Sequence, residues 1–409
     1  MKKILKSITA AAAVATLLFV ISIGVVSYYT PDSFQVAAGQ SLQWNVAAIT
    51  AVTDNSQIPV SSVKNTNQSY KAKLMLYHVI PIKTVNVDVV SNTTLIPCGT
   101  PFGIRLYTNG VVIVGVADIQ TSAGSVNPAA IAGLKVGDII TSVNGKKVNT
   151  NSEISGLISK NGEKNMRLTA RRNNIIFTAD LQPVLSALDQ TYKAGLWVRD
   201  STAGIGTLTF YNPATKSFAG LGHGVCDTDT NQIMPLLKGD ILPVTINGIS
   251  KGEKGAPGEL RGYFSTDTAI GTLQKNITLG VYGTLNNAPE GKSYQVGMKQ
   301  EVKPGPAQVL TTVDDQGPQY YDIVIEKIDY RANVESKNLI LHITDSKLLD
   351  KTGGIVQGMS GSPIIQNGKL VGAVTHVFVN DPTRGYGVFA ENMLAASQSV
   401  KSDSLKEAS

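Results

Sequence analysis

Histidine is scarce in this chain: four occur in 409 residues, at 78, 223, 342 and 376. Any chemistry that needs an imidazole base or ligand therefore has few places to stand. Only two cysteines are present, Cys98 and Cys226, which excludes a disulfide-framed scaffold and a multi-cysteine zinc site. They fall in separate predicted domains, where an interdomain bridge outside the cytoplasm and two buried thiols are both open. Asp227 and Asp229 stand close together, but no His or Glu at ligand spacing completes a site, so neither a metal nor a cofactor is expected. Charged residues make up 16% of the chain with a net charge of +6. Lys and Arg form no continuous stripe, so no nucleic-acid partner is expected, and the small excess suits an anionic lipid or wall surface. Long helical periodicities are missing after Leu185. In their place come Val, Ile, Thr and Gly, the composition of a mainly β region.

One long apolar run exists. Lys2, Lys3 and Lys6 precede Ile8 to Tyr28, an uncharged stretch long enough to cross a bilayer. The lysines stay on the cytoplasmic side, which exports the rest, and the absence of a small-residue cleavage site before Pro31 favours an uncleaved signal anchor over a signal peptide. The expected organisation is 1–30 cytoplasmic start and anchor, 31–97 stalk and small β region, 98–185 a second domain, and 186–409 a catalytic domain. Mixed polar residues from 31 to about 67 read as the stalk, and apolar alternation from Tyr70 to Val90 as strands.

Within 98–185, Ala129-Ala-Ile-Ala-Gly-Leu-Lys-Val-Gly-Asp-Ile-Ile140 followed by Val143-Asn-Gly-Lys-Lys-Val148 resembles a PDZ domain of the bacterial protease type. Asn144-Gly145 suits a two-residue hairpin, whose turn positions need φ > 0. The resemblance implies peptide capture by strand addition. The matching loop is read at Thr100-Pro-Phe-Gly-Ile104, with Gly103 and Ile104 as peptide-binding residues, while Gly133, Gly137 and Asp138 read as structural.

Near the C-terminal end, Gly358-Met-Ser-Gly-Ser-Pro363 leads through Gln366-Asn-Gly-Lys369 into Leu370-Val-Gly-Ala-Val-Thr-His-Val377. This order resembles the nucleophile loop of chymotrypsin-type serine peptidases. A serine nucleophile needs its own N–H and the N–H two residues earlier aimed at one spot, where the tetrahedral intermediate becomes negative; Gly358 and Ser360 fill those positions. Of the four histidines, His78 and His342 sit in apolar strand-like runs, and His376 lies on the strand after the loop. His223, in Gly220-Leu-Gly-His-Gly-Val225, remains as the base, and the interval to Ser360 leaves room for most of two six-stranded barrels. Two acids compete for the third place. Asp267 has the more usual spacing after the histidine, and Asp345 lies closer to the serine.

Taken together, the anchor, a PDZ-like domain ahead of the peptidase, Gly222-His-Gly224 and Gly358-Met-Ser-Gly-Ser-Pro363 resemble the SpoIVB peptidase family of endospore-forming bacteria. The resemblance runs from about residue 70 to Leu394 and is most specific at Thr352–Pro363 and Ala373–Pro382. It implies a mainly β fold: an α+β PDZ domain followed by a chymotrypsin-like double β-barrel, with an N-terminal transmembrane helix. It further implies a sporulation signalling endopeptidase with His223, Asp345 and Ser360 as triad. Its place would be the forespore membrane, facing the space between forespore and mother cell. Its partners would be a membrane-protein substrate and its own N-terminal region, cut within the stalk. A non-catalytic exported scaffold and a general quality-control peptidase stand as alternatives.

Overall fold

The computed structural model describes residues 2–46, 49–53, 68–331 and 335–406. Helix α1 (Lys2–Tyr29) opens the chain, and its Ile8–Tyr29 stretch is the one helix among the described residues long and apolar enough to cross a membrane. The carbonyls at its end would lack partners. Lys83 supplies them, its Nζ donating to Ser27 O at 3.0 Å and Thr30 O at 2.5 Å while meeting the Asp32 carboxylate at 2.9 Å. The Arg331 guanidinium lies over the rings of Tyr28 and Tyr29, 5.7 and 5.1 Å from their centroids. The helix thus leaves the body from a fixed point.

A small sheet follows, with β1 (Ser33–Ala37), β2 (Ile49–Thr53), β3 (Ser69–Leu76) and β4 (Ile80–Val90). β1 runs parallel to β4, which is antiparallel to β3, which is antiparallel to β2. Two-residue alternation puts Leu74, Val85, Val87 and Val89 on the face that also buries Phe34, Val36 and Trp44. The stalk expected at 31–67 is corrected here for 31–46, where large apolar side chains at irregular spacing fill a core. The self-cleavage expected within 31–67 falls on a segment of which residues 47–48 and 54–67 lie outside the described residues.

After β5 (Thr94–Pro97), strand β6 (Pro101–Val116) serves two bodies. Its first half buries Phe102, Ile104 and Leu106 in one core, and its second half buries Val111 and Ile113 in another. The second core belongs to α2 (Pro128–Ile131), β7 (Ile139–Val143), α3 (Asn151–Asn161), β8 (Met166–Arg172) and β9 (Ile175–Leu181). Asn127 and Thr150 cap the two helices, the latter in a full capping box with Glu153. Asn144 and Gly145 have φ of 50° and 77°, as the hairpin requires. Asp138 is fully buried, accepting from Lys135 N and paired with Arg172, which makes it structural.

The chain then returns along β10 (Leu196–Asn212), antiparallel to β6 over nearly its whole length. This α+β unit is therefore inserted between two strands of the first barrel, and residues 101–108, expected within it, are barrel residues. β11 (Ser217–Gly220), β12 (Leu236–Ser250), β13 (Glu259–Phe264), β14 (Gly271–Ile277) and β15 (Gly280–Leu285) follow. The first barrel closes in the order β6, β10, β11, β15, β14, β12 and back to β6. The second is built from β16 (Gly305–Thr311), β17 (Gln319–Ile328), β18 (Leu339–Ile343), β19 (Pro363–Gln366), β20 (Lys369–Phe378) and β21 (Asp381–Phe389), with α4 (Ser346–Thr352) between β18 and β19. It closes in the order β16, β17, β18, β21, β20, β19 and back to β16. Helix α5 (Ala390–Lys406) packs Met393 and Leu394 against Phe210, Tyr282 and Val388, clamping one barrel to the other.

Candidate active site

His223 and Ser360 come from different barrels. The histidine follows β11 through Leu221 and Gly222, both in the left-handed region with φ of 66° and 68°. The fold needs a glycine at 222, since a Cβ there would lie 2.8 Å from the methyl of Thr375 on β20. Beyond His223, Asn276 grips the loop, its Oδ1 accepting from Val225 N and its Nδ2 donating to Val225 O and Met234 O. His223 Nδ1 lies 3.0 Å from Gly224 O. A carbonyl only accepts, so in the neutral ring Nδ1 carries the proton and Nε2 keeps the lone pair a base needs.

The serine loop leaves α4 through the left-handed cap Gly353. Met359 is fully buried beneath the loop, its N–H donating to Val356 O, and Ser362 Oγ donates to Met359 O at 2.7 Å and lies 2.9 Å from the Thr311 hydroxyl. Gly361 N–H donates to Val374 O, which fastens the loop to β20. Among the described residues neither Gly358 N–H nor Ser360 N–H donates to a protein acceptor, so the two amides expected to hold the oxyanion are unengaged. Ser360 Oγ donates to Thr375 O at 2.7 Å, and attack requires it to turn from that carbonyl to the imidazole. The next residue, His376, lays its ring 4.8 Å from that of His223.

Residues 190–394 match the family described as SpoIVB peptidase S55, and residues 124–172 match a PDZ domain. The chain belongs to the SpoIVB peptidase S55 family. It is a serine endopeptidase of that kind, mainly β, with a PDZ domain and an apolar N-terminal helix. The PDZ domain of an SdrC-like protein from Listeria monocytogenes is similar at 21% identity, with 22% of this chain and 87% of that one covered and a TM-score of 0.19. No curated protein matches the chain.

Against the SpoIVB pattern, the structure sets the Ser360 loop and the His223 turn on either side of Thr207, with Ser360 Oγ on Thr375 O and the neighbouring His376 ring against His223, and among the described residues neither acid bonds to His223. Asp345 is the N-cap of α4, accepting from Leu348 N at 3.1 Å and Asp322 N at 3.3 Å. Asp267 is exposed and paired with Arg105 at 2.8 Å. The resemblance carried Asp345 over as the acid, but an Asp just ahead of Ser346–Thr352 is also the N-terminal signature of a helix, and here its carboxylate serves that end. Asp345→Asn keeps an oxygen for Leu348 N–H and is expected to leave stability near wild type, whereas Asp345→Ala costs about 1 kcal/mol. Thermal melts check both, and a loss of cleavage in the Asn variant at unchanged stability would assign a catalytic part to the charge.

The peptide-binding residues expected at Gly103 and Ile104 are corrected. Gly103 pairs with Ile205 on one side and Leu242 on the other, and Ile104 with Gly204 and Ile241, so neither strand edge is free to accept a peptide. A Cβ on Gly103 would sit 2.5 Å from the Phe264 ring. The open groove lies on the inserted domain, where Leu196–Arg199 pair only with β6 and their other edge faces α3. A cavity of about 540 Å³ there is lined by Ser155, Ile158 and Ser159 of α3 and by Gly195, Leu196 and Trp197. Sequence reading placed this strand in the catalytic domain because one continuous strand serves both.

Cys98 and Cys226 are unpaired, one buried and one exposed, and burial pushes the Cys98 thiol up to about 12. Asp227 and Asp229 are clamped by Arg199 at 2.6 and 2.7 Å, so they tie the loop after His223 to β10. Asn276, Thr375 and Arg199 were not legible as site residues, because a polar residue within a strand carries no local signal.

Burial lowers the His223 pKa, only partly offset by its bond to Gly224 O. Burial, then the His223 and Lys337 charges, push His376 down to about 4. Cleavage is therefore expected to keep its rate below pH 6.5, with the acid limb of kcat/KM falling under the ordinary histidine value. A limb centred at or above 6.5 would contradict this. The same depression makes the neutral rings' contribution to stability complete above about pH 6.5, and it is lost as pH falls towards 4.

Proposed function

We propose that this chain is a sporulation signalling endopeptidase held at the forespore membrane by α1. Its catalytic part would face the space between forespore and mother cell, cleaving itself and a membrane-protein partner to trigger processing of a late mother-cell sigma factor. The family supports this reading, and so does an apolar helix whose exit is held by Lys83 of the small sheet and by Arg331 between two strands of the second barrel. The observation that carries it is the continuity of β10, which forms one wall of the PDZ groove at Leu196–Arg199 and reaches the serine loop at Thr207. In sporulating cells, Ser360→Ala should block sigma-factor processing while the protein accumulates uncut. Normal processing in that strain would favour the scaffold alternative, and degradation of unfolded proteins at large would favour quality control.

The groove is read as taking the C-terminal tail of the membrane-protein partner. β1, which would otherwise be a convenient internal ligand, is held in its sheet against β4. Trp197 lines the groove and is 67% exposed, so tail peptides with a free carboxylate should change its fluorescence. Ile158→Asp should remove that change. No response from any such peptide in the parent protein would overturn this use of the groove.

A further inference from the structure

Thr207, on β10 of the first barrel, touches both catalytic loops while belonging to neither. The residue is 1% exposed. Its Oγ1 donates to Gly358 O at 2.7 Å, its N–H donates to Ser360 O at 3.0 Å, and its carbonyl accepts from Leu221 N at 3.2 Å, two residues before His223. Gly361 passes so close that a Cβ there would lie 2.1 Å from Thr207 O and 2.5 Å from Leu221 N. We propose that Thr207 is the positioning residue of this active site, setting the two oxyanion amides and the histidine turn against one another.

The two bonds it donates act on the peptides that matter. The Gly358–Met359 peptide is held by its carbonyl on Thr207 Oγ1 and by its N–H on Val356 O, which fixes ψ at Gly358, a residue already at φ 97°. The Ser360–Gly361 peptide is held likewise by Thr207 N–H and Val374 O. With the planes following both donors pinned, the Gly358 and Ser360 N–H groups keep a common aim, which is what oxyanion stabilisation demands. Only the hydroxyl bond is open to mutation, and it distinguishes threonine from valine of the same shape.

This role rests on the serine peptidase reading, so the test separates the two. The probe is a fluorophosphonate, which is attacked by the nucleophilic serine, loses fluoride, and places its phosphoryl oxygen in the oxyanion site. Thr207→Val is expected to lower the maximal labelling rate about 10- to 100-fold, with the concentration for half-maximal rate within about twofold of wild type. Thr207→Ser should restore the rate to within about threefold. A Val variant that is folded by circular dichroism and labels at the wild-type rate overturns the proposal. Should the Val variant not fold, the Ser variant decides alone: a tenfold loss there overturns the role, and a retained rate supports it. If the folded parent protein takes no label at all, it is the peptidase reading that fails.

Discussion

Ser360→Ala removes about six orders of magnitude of peptide-bond cleavage and leaves the fold intact. The small side chain change is tolerated because the loop is shaped by other groups. Met359 fills the core beneath it, Ser362 Oγ bridges to Thr311, Gly361 N–H reaches Val374 O, and Thr207 holds the carbonyls of Gly358 and Ser360. Ser360 Oγ itself makes one bond, to Thr375 O, whose loss exposes a carbonyl at a partly open position. Turnover of any peptide that the wild type cuts, measured beside a thermal melt, tests both halves. Residual cleavage within a hundredfold of wild type would mean that another group is the nucleophile.

Gly361→Ala should be strongly destabilising for a single methyl group. Gly361 has φ 98°, which an L side chain avoids, and the new Cβ would meet Thr207 O at 2.1 Å and Leu221 N at 2.5 Å. Both are backbone atoms of the other barrel and cannot rotate away. The left-handed penalty and the overpacking together cost about 3–5 kcal/mol. The control is Gly368→Ala, at φ 73° with nothing within 4 Å of the added methyl, which should cost only about 1–2 kcal/mol. Comparable melting temperatures for the two variants would show that the barrels do not meet at Gly361 as described.

Much of this architecture was legible in the sequence because it depends on local chemistry. The Gly358–Pro363 loop and the Asn144-Gly145 hairpin both carry residues chosen for backbone angles. His223 could be singled out as the candidate base because the chain has so few imidazoles and only His223 sits among glycines. What escaped was long-range. Pro101–Val116 and Leu196–Asn212 read as ordinary strands, and nothing local reveals that each changes core halfway, so the peptide groove was assigned to Gly103 and Ile104 instead of Leu196–Arg199. Trp44 and Phe34 were hidden by irregular spacing, since their core is completed by Tyr330 some 290 residues on. Asp345 could be read as an acid because a helix cap and a catalytic carboxylate use the same side chain; partners alone separate them.

The account depends on a serine hydroxyl from one barrel giving its proton to a histidine from the other. Mass spectrometry of the fluorophosphonate adduct, in the wild-type protein and in His223→Ala, tests this most directly. The account predicts a single modified residue, Ser360, and a labelling rate that collapses when the imidazole is removed. An adduct on a different serine, or one formed on Ser360 at an unchanged rate without His223, would contradict it.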